Sequence, residues 1–61
     1  MNAYRQAVQY EAEKVFAVWL RPGADWEIAA ETSAKDCNIE LHHVLEYLDK
    51  LIAKSVDTQP A

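Results

Sequence analysis

Glycine is nearly absent from this chain: Gly23 is the one example in 61 residues. That excludes the glycine-rich loops that cradle phosphates and leaves few places for sharp turns. Two prolines, Pro22 and Pro60, add little further punctuation. Cysteine is equally scarce. Cys37 stands alone, so no disulfide forms within the chain and four-cysteine zinc sites are excluded. No run of about 20 apolar residues exists to cross a membrane. The opening Met1-Asn2-Ala3-Tyr4-Arg5 leads into a mixed polar stretch and not into the apolar centre of a signal peptide. The expected location is therefore the cytoplasm, where a lone thiol stays reduced. Basic residues are the last shortage. Six Lys and Arg face ten Asp and Glu, for a net charge of -4, and the six are not clustered. This balance opposes nonspecific attraction to phosphate backbones and suits a basic partner.

What is present is apolar side chain, 51% of the residues, which argues against disorder. The length allows one domain at most, expected over 1–56 with a flexible tail at 57–61. So short a chain buries only about 60% of the surface its unfolded form exposes, and a partner is one of the ways such domains gain stability.

Hydrophobic spacing predicts an all-α, three-helix domain. Tyr4, Val8, Ala12, Val15 and Trp19 recur at three- and four-residue steps, widened by Phe16 and Leu20, and define a first helix from Asn2 to Leu20. Asn2 is its expected N-cap, and Arg21-Pro22-Gly23 stops it. A short second helix is expected from Trp26 to Ser33, capped by Asp25, with Ile28, Ala29 and Thr32 inward. Asp36 or Asn38 then caps a third helix running to Lys54, whose core face is Leu41, Val44, Leu48 and Leu51 beside Leu45 and Ile52. Trp19 and Trp26 flank the Pro22-Gly23 turn and are expected to seal the core between the first two helices. The sharper alternative makes one of them an exposed interface anchor.

From Val15 onward the chain resembles the helix-turn-helix core of winged-helix proteins. The residues are Val15-Phe16-Ala17-Val18-Trp19-Leu20, then Ala24-Asp25-Trp26-Glu27-Ile28-Ala29-Ala30-Glu31-Thr32, then Val44, Leu48, Leu51, Lys54 and Val56. Ser55 stands where that family usually has a glycine before its first wing strand, and five residues follow Val56. The resemblance thus implies a wingless or truncated form, with helices two and three in a helix-turn-helix arrangement and the third as the reading helix. It implies a small regulatory protein that binds DNA weakly or with a partner, through Lys35, Asn38, His42 and His43. The alternative is an acidic helical module that binds a larger protein to inhibit or recruit it. A homodimer is a further option, with Tyr10, Ala17 and Glu46 as interface residues.

No catalytic constellation is found. His42 and His43 point about 100° apart on a helix, so they cannot both ligate one ion, and Cys37, His42 and Glu46 lack a supporting ligand set. Neither metal nor other cofactor is expected, and no small-molecule substrate is evident. Cys37 is expected to be a small buried thiol at a helix junction. Glu11, Glu13, Glu27, Glu31, Asp36 and Glu40 read as solvated faces, not as paired acid and base.

Overall fold

The structure, a computed structural model, describes residues 2–57. These form three helices, α1 (Ala3–Trp19), α2 (Trp26–Cys37) and α3 (Leu41–Asp57), with no strand among the described residues. The all-α three-helix expectation is met. The body is flat, 39 × 30 × 14 Å. Of the expected tail, Asp57 is the last residue of α3, and 58–61 lie outside the described residues.

Local chemistry sets most of the helix ends. The Asn2 side chain accepts from the Tyr4 and Arg5 amides at 3.0 and 3.4 Å, satisfying donors that no helical carbonyl can reach. After Trp19 the chain tightens, with the Leu20 amide on the Phe16 carbonyl and the Arg21 amide on that of Val18, both at 3.0 Å. Pro22 cannot continue the helix, and Gly23 adopts φ +81, which a side chain would resist. Asp25 then caps α2 as expected, its Oδ1 accepting from the Ile28 amide at 3.2 Å.

The second helix departs from expectation in three ways. It runs one turn beyond Ser33, to Cys37, because nothing in Ala34-Lys35-Asp36 breaks a helix. Asp36 therefore lies inside α2 and caps nothing. Asn38 ends α2 instead of starting α3: it takes the left-handed conformation, φ 54, which Asn tolerates better than other non-glycine residues. Its amide reaches the Lys35 carbonyl at 3.3 Å and the Ile39 amide reaches that of Ala34 at 3.0 Å. Third, the inward residues are Ala30 and Ala34, one turn apart, and not Ile28, Ala29 and Thr32. Ile28 and Thr32 are exposed and Ala29 is half-buried. Two alanines let α2 lie close on its neighbours, and that rotation leaves the β-branched residues outside.

The core is Ala12 and Val15 from α1, Ala30 and Ala34 from α2, and Val44 and Leu48 from α3. Phe16, Trp26, Ile39, Leu41, Tyr47, Leu51 and Ile52 surround it, half-buried. Each fully buried Val or Leu contributes about 1.5–3 kcal/mol. α1 packs on both other helices, whereas α2 and α3 touch each other least. Trp26 sits against the core as expected. Trp19 does not seal it: it is exposed and stacks on Phe16, with ring centroids 5.8 Å apart.

Candidate protein-docking surface

The thin α2–α3 contact leaves a cleft. Trp26 begins α2, and Leu41 and Leu45 lie one turn apart on α3, so all three side chains reach the same seam. Glu27 and Glu31, one turn apart on α2, form its edge, and the cavity volume is about 70 Å³. Both glutamates are exposed, and neither has a cationic partner among the described residues. Like charges at this spacing repel by about 0.2–0.5 kcal/mol on a helix, a cost a cationic ligand would remove. Leu45 stays 36% exposed on the floor. An apolar floor with an unneutralised acidic edge suits an apolar group carrying positive charge.

The residues expected to meet DNA divide into two sets. Lys35, Asn38 and His42 are exposed around the three-residue turn between α2 and α3. His43 is instead half-buried and tied to the start of α1, its Nδ1 lying 2.6 Å from the Tyr4 hydroxyl. The same hydroxyl accepts from the Glu40 amide at 3.0 Å. Tyr4 thus ties the N-terminus of α3 from 36 residues away. The Glu40 carbonyl accepts from the His43 and Val44 amides at 3.1 and 3.3 Å to begin the helix. His42 lies against His43, ring centroids 4.1 Å apart, with Glu40 Oε2 4.0 Å from its Nδ1. Further along α3 the exposed side chains include the acidic Glu46 and Asp49 beside the basic Lys50.

The expected interface residues are all exposed but do not form one surface. Tyr10, 62% exposed, borders Gln6, Gln9 and Glu13 on α1 and lies under the Lys14 ammonium, 5.2 Å from the ring centre. Ala17 follows two turns along the same helix. Glu46 lines a different groove, between α1 and α3, with Tyr4, Arg5, His43 and Lys50. That groove mixes both charges. Among the described residues no three His, Cys, Asp or Glu side chains come together as a metal site.

The residue that sequence reasoning missed is Glu11, only 5% exposed where a solvated carboxylate was expected. It falls between Val8, Ala12 and Val15 on the inward stripe of α1, and that spacing was the available signal. Ser33 and Cys37 on α2 donate hydrogen bonds to it, and the Lys14 ammonium lies 3.3 Å from its Oε1. Burial pushes the Glu11 carboxyl up. The hydrogen bonds from Cys37, Ser33 and Lys14, with the Lys14 charge, outweigh that and hold it below its usual 4.5. Cys37 is exposed, not buried as expected, because one more turn of α2 carries it to the helix end. Its hydrogen bond to Glu11, then desolvation, then the Glu11 charge raise the thiol above its usual 9.0, which disfavours the reactive thiolate. This cluster binds α2 to α1 and offers no nucleophile.

The chain matches no protein-family model, no curated protein and no solved structure. These comparisons add nothing for the helix-turn-helix resemblance. No helix among the described residues is long and apolar enough to cross a membrane.

Proposed function

We propose that this chain is a protein-binding module, an acidic three-helix body that docks through the α2–α3 cleft on a larger partner. The observation that carries this reading is the cleft itself: Trp26, Leu41 and Leu45 as an apolar floor, with Glu27 and Glu31 unpaired along one edge. The net charge of -4 supports a basic partner and opposes pairing with a second copy. The cytoplasm, where an unpaired Cys37 stays reduced, is the compartment assigned with this reading.

The test is capture from host lysate by the whole chain, run beside Leu45→Glu, which places a charge on the cleft floor at an already half-open position. Circular dichroism checks that the variant keeps its helices. A partner retained by the wild type, lost by the variant and weakened at high salt is the expected result. Equal capture by both proteins, or none by either, overturns the reading.

A second reading, the helix-turn-helix regulator, draws on one observation: the three-residue turn at 38–40 is flanked by exposed Lys35, Asn38 and His42. The acidic residues that follow on α3 count against it, because affinity for a polyanion comes chiefly from cationic contacts. Titration with duplex DNA at low salt decides. Saturable binding tighter than about 100 µM moves the assignment to this reading, since ordinary nonspecific binders reach that range.

A further inference from the structure

We infer that the partner element taken by the α2–α3 cleft is a basic amphipathic helix, with one large apolar side chain seated on Trp26, Leu41 and Leu45 and two cations a turn apart along Glu27 and Glu31. This rests on the protein-binding reading above and adds the chemistry and geometry of the ligand.

Three observations converge on that ligand. The cleft is short, bordered by two turns of α3 and the first two turns of α2, so it admits one anchor and not an extended apolar strip. Glu27 and Glu31 stand at i and i+4, about 6 Å apart along the helix axis. Lys or Arg residues at the same spacing on a facing helix repeat that separation, so both pairs form without distorting either element. An extended strand, advancing about 3.3 Å per residue, could match that distance with cations two residues apart. A strand would still need a free backbone edge to pair with, and the all-helical body has none among its described residues. Ridges set in grooves make helix on helix the natural way to fill a seam between two helices.

The acidic edge also sorts candidates by charge. A second copy of this chain would bring its own negative charge to the same seam. A phosphate-bearing ligand would meet Glu27 and Glu31 unscreened. A cationic helix gains on both counts, and its binding falls as salt rises.

The probe is a synthetic 18-residue alanine-based helix bearing one leucine anchor and lysines four residues apart on the same face. It is titrated into the full chain labelled with nitrogen-15. Saturable amide shifts centred on Trp26, Glu27, Glu31, Leu41 and Leu45 are the expected result. The double variant Glu27→Gln/Glu31→Gln, altered only at exposed positions, should bind about two- to thirtyfold more weakly, the range for two exposed ion pairs. Moving the lysines out of the four-residue spacing should lose as much, and replacing the anchor leucine by alanine should lose more. Saturable binding centred elsewhere, or binding indifferent to lysine spacing, overturns this inference and leaves the protein-binding reading in place. So does absence of any saturable shift while lysate capture still separates the wild type from Leu45→Glu. If that capture fails too, both fall together.

Discussion

Replacing Glu11 separates a structural carboxylate from a solvated one. In the folded chain this group is almost fully enclosed, accepts from Ser33 and Cys37, and pairs with Lys14. Glu11→Ala removes the acceptor and leaves a half-buried Ser33 hydroxyl and the Cys37 thiol without it. Hydrogen bonds to charged groups contribute about 1.5–3 kcal/mol each, but Cys37 and Lys14 are exposed and regain water. The expected net loss is about 2 kcal/mol. A domain of this size has roughly 3–9 kcal/mol in all, and Tm should drop by about 8–16 °C. Glu11→Leu keeps the volume and removes the burden of burying a charge, so it should stay within about 1 kcal/mol of the wild type. The pH dependence is the sharper readout. The folded pKa of Glu11 is lowered, so its contribution is complete above the unfolded value near 4.5 and disappears as pH falls through the lower folded value. Thermal melts between about pH 6 and pH 3 should therefore show the wild type losing more stability on acidification than Glu11→Leu. Equal acid sensitivity in the two proteins, or an alanine variant as stable as the leucine one, would refute the assigned role.

Leu48→Ala, at a fully enclosed core position, should cost about 2–5 kcal/mol, read by denaturant titration. Tyr4→Phe removes the hydroxyl shared by His43 and the Glu40 amide and should cost about 0.5–1.5 kcal/mol, with the amide-exchange increase confined to the first turn of α3. Asn38→Ala should lose about 1 kcal/mol in the left-handed conformation while Asn38→Gly stays close to the wild type, measured by thermal melts. Cys37, exposed yet held against a carboxylate, should react with iodoacetamide at pH 8 more slowly than a free thiol. Glu11→Leu should speed that reaction, and an unchanged rate would show that the carboxylate does not restrain the sulfur.

The features legible in the sequence were those that neighbouring residues decide. Asn2 and Asp25 cap their helices with their own side chains, and Pro22-Gly23 breaks the chain by local sterics, so three helix ends stood where spacing placed them. Asn38 was ambiguous because the same side chain that caps a helix start also tolerates the conformation that ends one. Only the packing of Ile39 behind it chose between the two. The inward face of α2 was hidden for another reason. Hydrophobicity favours Ile28, whereas close approach favours the smaller Ala30 and Ala34, and approach won because α1 already presents the volume of Val15 and Phe16. The Tyr4 link to α3 carried no local signal, since its partners are 36 and 39 residues away.

The same distinction bears on where a partner can act. α1 is joined to α2 by the Ala30–Ala34 stripe and the Glu11 cluster, and to α3 by Tyr4 and the Val44–Leu48 face. Each of these seams combines apolar burial with a hydrogen bond that fixes its register. The α2–α3 seam has only the first of these, and thinly: Trp26 meets Leu41 and Leu45, while the glutamates beside them have no partner across the gap among the described residues. A further element could add to its packing without displacing an existing contact. A ligand that adds apolar area there and neutralises the edge would tie α2 to α3 as α1 already ties each of them. In a domain with so little enclosed surface, docking at that seam and stabilising the fold would then be the same physical event.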